Sequence, residues 1–207
     1  MKITDMVENK KNKNRVSVYI DGQFAAAVFK ENAWEHRLKI GMEMDEADLI
    51  ALIYQDEKDK GMNKAYQFLS FRARSAGELK QKLLDKEFAP PIVEDIIYEL
   101  LERKLLDDEA YAKEYAEALL ERGYGRRFIQ QKLYEKHISR ELITLTLESL
   151  SDRDSAYHYG EKISRKYQQE EDPRKRRQKF IQAMARHGFD FEDAKSVYRE
   201  LFEEHGF

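Results

Sequence analysis

The chain has 207 residues, 42% of them hydrophobic and 37% charged, and contains no cysteine. Disulfides, thiolate metal sites and thiol nucleophiles are therefore excluded, and a charged share well above the usual ~25% belongs with long, exposed amphipathic helices. The 37 basic and 40 acidic residues interleave to a formal net charge of −3, so only local patches could meet a polyanion.

The N-terminal stretch MKITDMVENKKNKNR lacks an apolar core of signal-peptide length, and nowhere do about 18 apolar residues run together as a membrane span requires. A soluble, cytoplasmic protein with no membrane contact is expected. Residues 2–8 suit a strand ahead of a solvated turn at 10–14. RVSVYI (15–20) alternates β-branched and aromatic residues, Asp21-Gly22 follows, and QFAAAVF (23–29) comes next, the usual hairpin signal. Beyond residue 30 a short helix is expected, and from Asp45 a helical pattern runs through Leu49, Leu52 and Ile53. Residues 1–61 thus form a small β-hairpin-containing unit with a connecting helix.

From residue 62 onward the only prolines are Pro90, Pro91 and Pro173, and apolar spacing close to 3.6 predicts helix throughout. The segment is also self-similar. Ala-Tyr recurs at 65–66, 110–111 and 156–157, and each unit then offers a middle helix with apolar anchors four apart: Leu79 and Leu83, Ile129 and Leu133, Phe180 and Met184. Five residues on stand Phe88, Ile138 and Phe189. A third helix follows with one apolar face: Val93, Ile97 and Leu100; Ile143, Leu147 and Leu150; Ala194, Tyr198 and Leu201. The spacing predicts a mainly α protein of three tandem three-helix repeats, 62–106, 107–152 and 153–207, stacked into an elongated curved array. Ser75 with Glu78 suits a capping box, Asp107 or Asp108 a cap in the second repeat, and Asp172-Pro173 a cap before a first-turn proline.

Chemistry is sparse. Gly123 and Gly125 beside Arg126 and Arg127 do not make a phosphate loop, because they are two apart and follow a helix; they read as the joint between two helices. His36, His137, His158, His187 and His205 lack metal-binding spacing. No catalytic constellation or cofactor motif occurs, so a non-enzymatic protein without metal or cofactor is expected. The basic residues follow the repeats: Arg72, Arg74, Lys80 and Lys82; Arg122, Arg126, Arg127 and Lys132; Arg174, Lys175, Arg176, Arg177 and Lys179. Cations in a first helical turn oppose the macrodipole, and three such patches at equivalent places predict a stepped basic track for a polyanion or an acidic groove. Tyr66, Tyr111 and Tyr157 could stack on bases, but their identical place beside Ala argues more for packing between helices.

The segments FLSFRARSAGELKQKLLDKEF, LLDDEAYAKEYAEALLERGYGRRFIQQKLYEKHI and FIQAMARHGFDFEDAKSVYREL resemble the RecX family of bacterial recombination regulators, over residues 62–207 and in the right order. The N-terminal unit is similar to the β-containing extension of Gram-positive members. The resemblance implies a monomeric, non-enzymatic protein of DNA repair, recombination and the SOS response that binds the RecA filament. It implies inhibition of RecA's ATPase, strand-exchange and coprotease activities, from the filament groove, from growing ends or both, with single- or double-stranded DNA as a further partner. The third unit departs from the pattern, carrying QQEEDPRKRRQ where the second has its Gly-Arg turn. Two other readings stand beside this one: a transcriptional or architectural nucleic-acid binder acting without RecA, and a helical adaptor for acidic proteins.

Overall fold

A computed structural model describes residues 1–204. It opens with three antiparallel strands in the order β1 (Ile3–Glu8), β2 (Arg15–Ile20), β3 (Gln23–Phe29). Val16, Val18 and Ile20 point inward from β2 while the residues between them face outward, as a period of two demands. Asp21 and Gly22 both take positive φ, 48° and 82°, the geometry whose twist matches a two-residue hairpin. One face of the sheet forms a core with Ala33, Met44 and Leu52.

Two helices complete this region, α1 (Lys30–Glu35) and α2 (Glu46–Phe71). Asp45 caps α2 by accepting from the Asp48 amide at 2.8 Å. Asp56, 2% exposed, ties the sheet to α2 by accepting from the Phe29 amide at 2.6 Å and pairing with Arg15 at 2.7 Å. Helix α2 runs without a break through residue 61, so the division expected between 61 and 62 falls inside a single helix.

The remaining helices are α3 (Ala76–Leu84), α4 (Pro90–Glu102), α5 (Asp108–Glu121), α6 (Arg126–Glu135), α7 (Arg140–Glu148), α8 (Arg153–Tyr167), α9 (Pro173–Arg186) and α10 (Phe191–Arg199), closed by a π-helical turn at Glu200–Glu204. They follow the three-helix periodicity: the latter half of α2 with α3 and α4, then α5 to α7, then α8 to α10. All six middle-helix anchors are fully buried, as are Val93, Ile143 and Ala194 on the third helices. Phe88 and Leu147 are only half-buried. No described helix is long and apolar enough to cross a membrane. The chain gathers into two compact units, Met1–Arg72 with Leu79–Arg103, and Ala73–Glu78 with the chain from Lys104 onward.

The Ala-Tyr register needs correction. Ala65 and Ala156 are buried but Ala110 is exposed, and Ala112 and Ala116 fill its place in the α5 core. The tyrosines pack between helices only in part: Tyr66 and Tyr157 are 39% and 37% exposed, the Tyr66 hydroxyl accepting from Arg103 of α4 at 3.4 Å, and Tyr111 is half-buried against the core of α5 to α7 and stacked on Tyr115 at 5.8 Å. Ala110 stands two residues after the start of α5, whereas Ala156 stands three after the start of α8, a difference of one residue or about 100° around the helix.

Candidate functional site

The second unit is organised around the ends of its middle helices. Gly125, the N-cap residue of α6, donates its amide to the His187 carbonyl at 3.0 Å, and the Arg127 amide donates to the Gly188 carbonyl at 3.0 Å. His187 is the C-cap residue of α9, so the first turn of α6 receives the last carbonyls of α9. Each helix end thereby satisfies groups the other leaves unpaired, with macrodipoles meeting in the favourable sense. A Cβ on Gly125 would lie 2.4 Å from the Gly188 carbonyl carbon, which is why the position holds glycine.

The same joint recurs one repeat earlier. Ser75 Oγ accepts from the Glu78 amide at 3.0 Å, capping α3, and donates to the carbonyl of Lys136, the C-cap residue of α6. Only half of the expected capping box forms, because the Glu78 carboxylate turns to Arg74 at 2.5 Å and Lys136 at 3.6 Å. An aspartate at the start of a later helix, α5 or α8, secures each joint. Asp108 accepts from the Ala76 amide at 2.7 Å, leaving Asp107 to cap α5 itself through the Ala110 amide at 2.9 Å. Asp152 accepts from the Arg126 amide at 3.0 Å and pairs with Arg126 Nε at 3.2 Å. Burial pushes the Asp108 carboxyl above its ordinary range, and the bond from Ala76 opposes that shift.

An aromatic column braces the second joint. His187 stacks on Tyr159 at 3.8 Å and on Tyr124 at 4.6 Å, and Tyr124 stacks in turn on Phe128 at 4.1 Å. Burial, with nearby Lys162, lowers the His187 pKa from its ordinary value. His36, His137 and His158 are exposed, and His205 lies outside the described residues. Among the described residues no cluster of side chains could hold a metal ion.

The structure sorts the thirteen basic residues of the proposed track. Arg74 is buried against Glu78, with its side chain 9% exposed. Lys80 pairs with Glu94, Lys132 with Glu135 at 2.7 Å, and Lys179 with Glu170. Hydrogen bonding within two of these pairs lowers the Glu135 and Glu170 pKa values. Lys82 lies 5.6 Å over the Phe68 ring, and Arg176 lies 5.3 Å over Phe202 while its Nε donates to the Tyr198 hydroxyl at 3.3 Å. Arg126 belongs to the joint, and Arg72 is the exposed C-cap residue of α2.

That leaves Arg122, Arg127, Arg174, Lys175 and Arg177, all exposed and without an ion pair among the described residues. Arg127 stands in the first turn of α6. Arg174, Lys175 and Arg177 stand in the first turns of α9, where Asp172 caps the helix through the Arg174 amide at 2.9 Å. Because α9 ends against the start of α6, these two groups lie one 14-residue helix apart, about 21 Å at 1.5 Å per residue.

Two cations were missed by grouping residues at helix starts. Lys166 and Arg186 line a groove of about 460 Å³ between α8 and α9, together with Lys179 and Gln182. Lys175, Lys179, Gln182 and Arg186 fall at i, i+4, i+7 and i+11, which is one stripe of α9. That spacing was present in the sequence.

Comparison with known proteins covers most of the chain. Models of the RecX N-terminal domain and of the first, second and third RecX three-helix domains match residues 1–45, 62–100, 107–147 and 151–198. A protein named regulatory protein RecX from Clostridium tetani is 33% identical over 97% of this chain and 94% of its own, and one from Clostridioides difficile is 32% identical over 96% and 95%. The Bacillus subtilis protein of that name is 33% identical over 79% of this chain, a match spanning 64% of its own length. A crystal structure of regulatory protein RecX superposes with a TM-score of 0.74 at 28% identity, covering 98% of both chains. Another, of RecX from Lactobacillus salivarius, shares the fold at a TM-score of 0.66 and 23% identity over 71% of this chain and 97% of that one.

Proposed function

The chain belongs to the RecX family of regulatory proteins, and from that premise we propose that it regulates the RecA recombinase by binding the RecA-DNA filament and inhibiting its ATPase, strand-exchange and coprotease activities. The observation that carries this reading is the set of exposed, unpaired cations at the starts of α6 and α9, one helix length apart within a single compact unit. Cations without internal partners remain available to phosphates or to carboxylates on a filament, and two such groups about 21 Å apart suit an extended ligand. The paired cations, Arg74, Arg126 and Arg176 foremost, are assigned to holding the repeats in shape.

The test measures single-strand-dependent ATP hydrolysis by RecA at increasing ratios of this protein. The wild-type chain is expected to suppress turnover. Arg127→Glu with Arg174→Glu and Arg177→Glu is expected to keep its helical circular dichroism and to lose most of that suppression. An unchanged ATPase with the wild-type protein would overturn the reading. A tight complex with DNA alone, with no effect on RecA, would favour a nucleic-acid binder acting by itself.

A further inference from the structure

The end of α2 carries a feature that the cationic starts of α6 and α9 do not share. Residues 60–77, KGMNKAYQFLSFRARSAG, form the longest stretch of the chain without an aspartate or glutamate. Within it Lys64, Phe68 and Phe71 fall at i, i+4 and i+7, one stripe of the helix. Phe71 is 83% exposed, the most exposed large apolar side chain among the described residues. Phe68 is half-buried, with the Lys64 ammonium 5.3 Å and the Lys82 ammonium of α3 5.6 Å from its ring centre. All four side chains belong to the first compact unit.

A single exposed ring is ordinary on a protein surface. Here the ring continues a row in which cations and aromatic faces alternate, and neither Lys64 nor Lys82 has an ion pair among the described residues. Along the helix axis Phe71 stands about 4.5 Å beyond Phe68, at about 1.5 Å per residue. That arrangement joins a flat π-face to positive charge, the pairing by which proteins hold unpaired nucleotides: the base stacks and its phosphate meets a cation. A duplex keeps its bases stacked inside and offers phosphates alone. An acidic peptide offers charge without a flat partner for the ring.

We propose that the end of α2 is a stacking site for an unpaired base of single-stranded nucleic acid, with Phe71 beneath the base and Lys64 and Lys82 on the flanking phosphates. The site is separate from the cations assigned to the RecA filament, and the proposal does not rest on that assignment. It gives the first unit a partner chemistry of its own.

The test measures the anisotropy of a fluorescein-labelled oligothymidylate of about 12 nucleotides with the full-length protein, against an abasic strand of equal length that keeps every phosphate and lacks every base. Saturable binding is expected, about tenfold tighter for the strand with bases. Phe71→Ala should weaken oligothymidylate binding about tenfold and leave the abasic strand unchanged. Phe71→Tyr should bind as wild type, whereas Phe71→Leu, apolar but without a π-face, should bind as the alanine variant. Lys64→Gln with Lys82→Gln should weaken both strands and lower the slope of log K against log salt by about 1. Because Phe71 is exposed, its variants should melt with the wild type; a melting temperature lowered by Phe71→Ala would show a packing role and overturn the proposal. So would no saturable binding, equal binding of the abasic strand, equal binding by the tyrosine and leucine variants, or an unchanged slope for the lysine variant. RecA is absent from the assay, so failure here leaves the filament reading standing.

Discussion

His187 sits between two tyrosine rings at the joint of α6 and α9, and burial holds its imidazole toward the neutral form. A histidine whose folded pKa is depressed adds stability that is fully present above its unfolded value, about 6.5, and is lost as pH falls through the folded value. Asp108 and Asp193 act with the opposite sign, since burial raises both and their contribution is lost as pH rises through the folded values. Comparison with His187→Phe, which keeps an aromatic ring in the stack, isolates the histidine. Melting temperatures between about pH 5 and 8 should fall more steeply on the acid side for wild type than for the variant. At the same joint Gly125→Ala places a methyl group 2.4 Å from the Gly188 carbonyl carbon, and the forced shift should cost about 1–3 kcal/mol, seen as a lower urea midpoint.

Among the elements, the middle helices are held by their ends as much as by their apolar faces. Ile129 and Leu133 fix α6 in its own core, but Asp152, the N-cap residue of α8, caps it and pairs with Arg126. Asp152→Ala removes both contacts and should cost about 1–2 kcal/mol on the scale of lost helix caps. Native-state hydrogen exchange should quicken in the first turn of α6 and stay unchanged in the strands. Asp152→Asn, which keeps an acceptor for the Arg126 amide, should cost less. The periodic anchors were legible because burial repeats every turn of helix. The end-to-end joints were not, because Asp108 and Ala76, or Asp152 and Arg126, are separated by 32 and 26 residues and no local pattern links them.

For the whole molecule, a near-neutral chain can act on a polyanion only through those cations its own carboxylates leave unpaired. If Arg127, Arg174 and Arg177 meet phosphates, replacing all three with Gln should reduce the slope of log K against log salt for the filament complex by about 2–3. Reversal of Lys80 or Lys132, already paired with Glu94 and Glu135, should change that slope little. Fluorescence anisotropy across a salt series would measure both.

By itself, the sequence determined the hairpin at Asp21-Gly22, the helical period beyond residue 62, the threefold recurrence of buried anchors and the family that these motifs resemble. Each depends on local spacing, and spacing is what a linear chain displays. Only the tertiary structure decided that α2 runs through residue 61, that Ala110 faces outward, and that Arg74 and Arg126 serve the joints while Arg127 and Arg174 stay exposed. A cation's availability depends on which carboxylate the fold brings within about 4 Å. GYGRRFIQQKLYEKH shows both sides: its glycine-to-helix joint was readable in the sequence, whereas the different roles of its two adjacent arginines depend on Asp152, at the start of α8.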